Sequence, residues 1–180
     1  MEKRLIKCCW YDNLNGAKEL LRDNPDINIS YDDEDAFLAA CYRGNLEIAK
    51  WLLSVKPDIN ISINNEYAFR YACIRGHLEI AKWLLIVKPD INISAEDKFA
   101  FHWTCANGHL EVAKWLQSLQ PYLYVIEYDV NGKYIGYKIR SKEEANLERR
   151  KYALHLVCQE ENNLLYYLPI DISKAVTMFV

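Results

Sequence analysis

One pattern of apolar and polar positions recurs along the chain. Leu46-Glu47-Ile48-Ala49-Lys50-Trp51-Leu52-Leu53 returns at residues 78–85 and, with small changes, at 110–117. Within the second copy, Leu78, Ala81, Trp83, Leu84 and Leu85 fall on one helical face and leave Glu79 and Lys82 for water. Pro25, Pro57, Pro89 and Pro121 lie 32 residues apart, as do Cys9, Cys41, Cys73 and Cys105, and likewise Gly44, Gly76 and Gly108. Self-similarity at a fixed period of this length means stacked units that share a core.

Each unit predicts two short helices. The first runs around Ala68-Phe69-Arg70-Tyr71-Ala72-Cys73 and stops near Gly76; the second runs from about His77 to Val87 and stops before Pro89. Asp90-Ile91-Asn92-Ile93-Ser94 predicts an extended, turn-rich connector carrying a projecting loop between units. Such a helix pair cannot bury its apolar face alone, so its neighbours must stack on it. In the first unit Glu19 stands where Trp51, Trp83 and Trp115 stand later, and Gly16 replaces Ile48, which marks an N-terminal cap with a water-facing outer surface.

After Pro121 the pattern changes. Tyr122-Leu123-Tyr124-Val125-Ile126-Glu127-Tyr128-Asp129-Val130, then Asn131-Gly132, then residues 133–140 predict a β-hairpin. A two-residue turn at Asn131-Gly132 would pair Tyr128 with Ile135, Ile126 with Tyr137 and Tyr124 with Ile139 on one apolar face, leaving Asp129, Glu127, Lys138 and Arg140 on the other. A polar stretch at 141–150 leads to Tyr152-Ala153-Leu154-His155-Leu156-Val157-Cys158, which echoes Ala100-Phe101-His102-Trp103-Thr104-Cys105. Residues 152–168 therefore predict a degenerate closing repeat, and Pro169 begins a short amphipathic helix to the end.

Arg75-Gly76-His77-Leu78-Glu79-Ile80-Ala81-Lys82-Trp83-Leu84-Leu85, followed by Pro89-Asp90-Ile91-Asn92, resembles the ankyrin repeat: its Gly-His-Leu-Glu helix start, leucine-rich second helix and Ala-Asp-Val-Asn turn. The resemblance covers about residues 1–121 and is similar in flavour to arrays encoded by giant DNA viruses. Tyr67-Ala68-Phe69-Arg70 replaces the family's Thr-Pro-Leu-His, Lys88 replaces the Gly before the turn, and the period is one short of the usual 33 or so. The expected architecture is all-α: an ankyrin-type helical solenoid of about four repeats with an inserted β-hairpin and a degenerate C-terminal capping repeat. The divisions are 1–121 for the repeats (cap 1–30, then 31–62, 63–94 and 95–121), 122–140 for the hairpin, and 141–180 for a helical C-terminal cap.

Composition narrows the function. The chain is 51% hydrophobic and 26% charged with a formal charge of -3, so it has no general attraction for phosphate backbones and no nucleic-acid partner is expected. The basic start at Met1-Glu2-Lys3-Arg4 lacks the apolar stretch of a signal peptide, and no run approaches the roughly 18 apolar residues of a membrane span. A cytoplasmic monomer that does not engage a membrane is the expectation. Four of six cysteines follow the repeat, which favours reduced, buried small residues over a disulfide framework.

Candidate chemistry is thin. The Trp51, Trp83 and Trp115 ladder reads as core packing, because its spacing is that of the repeat. His102, Cys105 and His109 invite a zinc reading, but Gly108 interrupts their helix and no fourth ligand is near, so no metal and no cofactor are expected. His77 and His109 read as local hydrogen-bonding groups at the second-helix start. The cluster Lys138, Arg140, Lys142, Arg149, Arg150 and Lys151 is interleaved with Glu143, Glu144 and Glu148 and reads as a mixed-charge face. No nucleophile elbow or phosphate loop is present, and no enzyme activity or catalytic residue is expected.

Variation between copies carries the functional reading. Positions that agree are packing; positions that differ freely are not dictated by it. Divergence gathers at Tyr31, Asp32 and Asp33, at Asn64 and Asn65, and at Glu96 and Asp97, and again at the first-helix ends: Tyr42 and Arg43, Ile74 and Arg75, and Asn107. In ankyrin proteins the corresponding positions line a concave recognition surface, so the resemblance implies a protein partner, from a host cell if the source is viral. Tyr42, Arg43 and Arg75 are the best anchors, and the acidic first loop favours a basic patch on the partner. The alternative is a substrate adaptor for a cullin-type ubiquitin ligase: Leu168, Pro169, Ile172, Val176 and Phe179 resemble a shortened F-box start.

Overall fold

The computed structural model describes the backbone of residues 1–163 and the side chains through Ala153. The order is α1 (Glu2–Trp10), α2 (Leu14–Asp23), α3 (Tyr31–Arg43), α4 (Leu46–Val55), α5 (Ile63–Ile74), α6 (Leu78–Val87), α7 (Ala95–Ala106), α8 (Leu110–Leu119), β1 (Tyr124–Tyr128), β2 (Tyr134–Ile139) and α9 (Lys142–Asn163). The chain divides into one compact unit from Met1 to Leu119 and a second from Gln120 on. Among the described residues no helix is long and apolar enough to cross a membrane.

In the first unit each odd-numbered helix packs on its own even-numbered partner, and α1, α3, α5 and α7 lie side by side. The repeat-spaced side chains form the interior. Phe37, Phe69 and Phe101, the thiols of Cys9, Cys41 and Cys73, and Leu52, Leu84 and Leu116 are fully buried. Burial disfavours the thiolate: Cys9 is pushed up to about 12, Cys105 to about 11, and Cys41 and Cys73 are raised too.

The tryptophan ladder departs from a core assignment. Trp51, Trp83 and Trp115 are half-buried. Trp83 tilts against Phe37 at 6.2 Å between centroids, and Trp115 against Phe69 at 6.2 Å, so each indole covers the core phenylalanine of the preceding repeat. Part of every indole stays in water because it lies over the core.

First helices end where the glycines stand. Gly44, Gly76 and Gly108 have φ of 89, 81 and 77°, and Asp12 takes the same left-handed position in the first unit with φ 58°. Gly44 is required twice over, since a Cβ there would meet the His77 ring at 2.7 Å. His77 Nε2 lies 3.1 Å from the Tyr42 carbonyl, so its hydrogen bond is between repeats and not local as expected. Asn45, at the same repeat position, donates to the Cys9 carbonyl at 2.6 Å.

The projecting loops follow the connectors and have a defined conformation. Each is a left-handed turn built into the start of a first helix: Asp32, Asp33 and Glu34, then Asn64, Asn65 and Glu66, then Glu96, Asp97 and Lys98, all with φ between 51 and 65°. Such a conformation costs about 1–2 kcal/mol per non-glycine residue, so something must hold it. Ser30 donates to Glu34 Oε2 at 2.6 Å, while Glu34 Oε1 accepts the Asn60 N–H of the next connector at 3.3 Å. Ser62, Glu66 and Asn92 repeat this at 2.7 and 3.3 Å. Both carboxylates are buried, at 7% and 8% exposure.

In the second unit the register Tyr124↔Ile139, Ile126↔Tyr137 and Glu127↔Gly136 is the expected one, but Tyr128 pairs with Tyr134 and not with Ile135. The turn is longer than two residues. Asp129 N–H donates to the Lys133 carbonyl at 2.8 Å, and the Asp129 carboxylate accepts from the N–H groups of Asn131 and Lys133. Gly132 has φ 78° and Asn131 is not left-handed, which is a three-residue loop and not the doubly left-handed two-residue turn. The slip bulges Ile135 out to 62% exposure and ends the apolar face there.

The polar stretch after it is helical as well. Ser141 and Glu144 cap each other reciprocally, the Glu144 N–H donating to Ser141 Oγ at 3.1 Å and the Ser141 N–H to Glu144 Oε2 at 2.8 Å. The helix so begun runs from Lys142 through Asn163, so no separate helix starts at Tyr152. Lys138 pairs with Glu144 and Lys151 with Glu148 on its mixed-charge face. Most of the side chains of the expected closing repeat, and all of Leu168, Pro169, Ile172, Val176 and Phe179, lie outside the described residues.

Candidate recognition surface

Side-by-side packing of α1, α3, α5 and α7 sets their aromatic residues in a row. Trp10 stacks on Tyr42 at 5.4 Å and 18°, Tyr42 meets Tyr71 at 5.6 Å, Tyr71 meets Phe99 at 6.3 Å, and Phe99 meets Trp103 at 5.9 Å. Tyr67 stacks on Tyr71 at 4.1 Å within α5. Burial, and then the neighbouring Tyr71 and Tyr42, push the Tyr67 phenol above its ordinary range. Rings in this arrangement offer a rigid contact area with little conformational entropy to lose.

Three arginines lie against the row. The Arg43 guanidinium sits 5.1 Å from the Trp10 ring centre, with Nε 3.4 Å from the Trp10 carbonyl, and that of Arg75 sits 4.4 Å from Tyr42. Both are exposed. Arg70 is buried: it lies 5.2 Å from the Phe99 ring and donates to the carbonyls of Asn65 and Asn64 at 2.7 and 2.9 Å, holding the left-handed turn of its own repeat.

At the opposite ends of these helices the left-handed turns present Asp32 and Asp33, Asn64 and Asn65, and Glu96 and Asp97 to water, and Tyr31 is exposed beside the first pair. The Asn65 amide reaches the Glu96 carboxylate of the next turn. Burial, and then the charges of Asp32 and Asp33, raise the Asp35 carboxyl above its usual range. The face thus carries carboxylates and amides at one end and guanidiniums at the other, separated by about 12 Å of helix.

Of the residues expected to form the surface, Tyr42, Arg43 and Arg75 come together in one patch. The six turn residues form a second row. Ile74 does not belong to either, for it is 7% exposed and its side chain is part of the packing between helices. Asn107 is exposed, but its amide donates to the Ile74 carbonyl at 3.1 Å and joins two repeats. Sequence reasoning missed Trp10, Tyr67, Tyr71, Phe99 and Trp103. The signal was there in Tyr67/Tyr71 and Phe99/Trp103, aromatic pairs four residues apart on one helix face.

Stacked helix pairs around a shared core define a solenoid repeat protein. A family model described as ankyrin repeats, in three copies, matches residues 5–97 and 37–126, and the chain belongs to that family. Among solved structures it is similar to an ankyrin repeat family protein from Legionella pneumophila, with 26% identity and a TM-score of 0.59. That match covers 64% of this chain and 36% of the other, so the chain spans about a third of its solved relative. No curated protein matches the sequence. Ankyrin repeats are generally protein-protein interaction modules and are typically non-enzymatic.

Proposed function

We propose that the chain is a non-catalytic scaffold that holds one partner protein against its first-helix face and left-handed turns. The observation that carries this is the aromatic and arginine row. It lies where the repeats differ from one another, beside a core in which they are the same. Packing therefore dictates the core and leaves the row available for contact. An interface of ordinary size, about 800 Å² per partner, needs several adjacent repeats, and the row crosses four first helices. Basic groups of the partner would face Asp32, Asp33, Glu96 and Asp97. The partner is an intracellular protein, and a host protein if the source is viral.

Cross-linking mass spectrometry on captured complexes names the partner, and binding is then measured with both proteins purified. A variant with Asp32→Asn, Asp33→Asn, Glu96→Gln, Asp97→Asn and Trp103→Ala keeps residues that tolerate the left-handed turn. It is expected to bind about tenfold or more weakly with its melting temperature within a few degrees of the parent. Undiminished affinity overturns the choice of surface. The adaptor alternative rests on the Leu168-Pro169 motif. It predicts that deleting residues 165–180 abolishes capture of a ligase subunit while partner binding by the repeats persists.

A further inference from the structure

We propose that Arg43 and Arg75 together bind two carboxylates of an extended acidic segment of the partner, an inference that rests on the first-helix face being the docking surface. The cations of the second helices are paired as a rule: Lys50 with Glu47, Lys82 with Glu79 and Lys114 with Glu111, one per repeat. Arg70 is engaged with backbone carbonyls. Arg43 and Arg75 are exposed and have no carboxylate in ion-pair range among the described residues. Each has a ring beneath it, Trp10 at 5.1 Å and Tyr42 at 4.4 Å. The ring lies against one face of each guanidinium; Arg43 directs its Nε–H to the Trp10 carbonyl at 3.4 Å, which leaves its two terminal nitrogens, and the N–H edges of Arg75, for a carboxylate.

A cation at a helix C-terminus also complements the helix dipole, which would explain the charge without a ligand. A lysine serves the dipole equally well but provides neither the fork nor the stack. The repeat geometry sets the ligand. Neighbouring helices pack about 8–10 Å apart, and side chains three residues apart on a polyproline-type extended chain project from one face about 9 Å apart. The fit is to two acidic residues at that spacing. A long polyanion is disfavoured, because Asp32, Asp33, Glu96 and Asp97 lie exposed along the other end of the same face.

The test is selection of random dodecapeptides displayed against the full chain, followed by fluorescence anisotropy of the fluorescein-labelled winners. Enrichment of Asp or Glu pairs three residues apart is expected. Arg43→Glu with Arg75→Glu should weaken the winners by more than about tenfold, and Arg43→Lys with Arg75→Lys by about threefold or more with an unchanged melting temperature. Winners without paired acids, or winners that bind the charge-reversed variant within about twofold, overturn the proposal. If such winners are still lost to the five-substitution turn and Trp103 variant, the docking surface survives and only the acidic ligand falls. Indifference to both variants, or selection of no peptide, counts against both readings. A labelled thymidine dodecamer bound as tightly as the winners would overturn it in favour of a polyanion site.

Discussion

In the repeats at 31–62 and 63–94 a buried glutamate ties its left-handed turn to the connector that leads into the next repeat, through Glu34 to Asn60 and Glu66 to Asn92. In the last repeat Lys98 stands at that position, half-exposed, and the sequence that follows Pro121 has no Asn-Ile-Ser to receive a carboxylate. The cores of the three agree at their large side chains: Phe37, Phe69 and Phe101 correspond, as do Leu52, Leu84 and Leu116. Conservation of the glutamate between copies is thus a property of having a neighbour, not of the turn itself. A second difference points the same way. Ala40 and Ala72 become Thr104, whose buried hydroxyl finds no hydrogen-bond partner among the described residues.

The largest effect expected from this contrast is at the clamp. Glu66→Ala leaves the Asn92 N–H and the Ser62 hydroxyl without their acceptor and should cost about 2–4 kcal/mol in urea denaturation. Lys98→Ala should stay within about 0.5 kcal/mol. Equal losses at the two positions would break the comparison. Thr104→Ala restores the residue of the interior repeats, removes an unsatisfied hydroxyl, and should stabilise the chain by about 1 kcal/mol in the same measurement. A destabilisation would mean that the hydroxyl is satisfied in solution.

The smallest effect is in pH. Burial is the main cause that lowers His77, with the charge of Arg75 adding to it and the bond to the Tyr42 carbonyl opposing it. Its folded value therefore lies below the ordinary 6.5. Between the two values the unfolded chain binds more protons than the folded one, so stability is whole above about 6.5 and is lost as pH falls through that window. His77→Asn, the residue type of Asn45, should flatten this part of the profile of melting temperature against pH. A slope that persists in the variant places the titrating group elsewhere.

The repeat period, the two-helix unit and the glycine stops are all legible in the sequence. Each is a local or periodic feature: a helix face has a fixed spacing, and a left-handed stop favours glycine. Glu34 and Glu66 are marked in the sequence only by recurring at the same place in two repeats. Their role depends on a carboxylate meeting a backbone N–H 26 residues later, which no spacing rule for helices or strands contains. Ile74 shows the converse error. Its position varies between copies as Trp10, Tyr42, Ile74 and Ala106, yet the residue itself is buried, because variation reports freedom to change and not exposure. The hairpin register failed only beyond Glu127, where the Asp129 carboxylate captured two backbone N–H groups and lengthened the turn.

The sequence by itself determined the repeat-spaced part of the interior, such as Leu84 and the cysteines at 9, 41, 73 and 105, because stacking similar units requires the same apolar face in each. It also determined that a family of stacked helix pairs was at hand. Only the tertiary structure decided what lies between units: which carboxylate crosses to which connector, which indole covers which phenylalanine, and which guanidinium rests on which ring. Those contacts join residues about one period apart in sequence but touching in space, and their geometry is fixed by how two helices pack, not by the residues of either one alone.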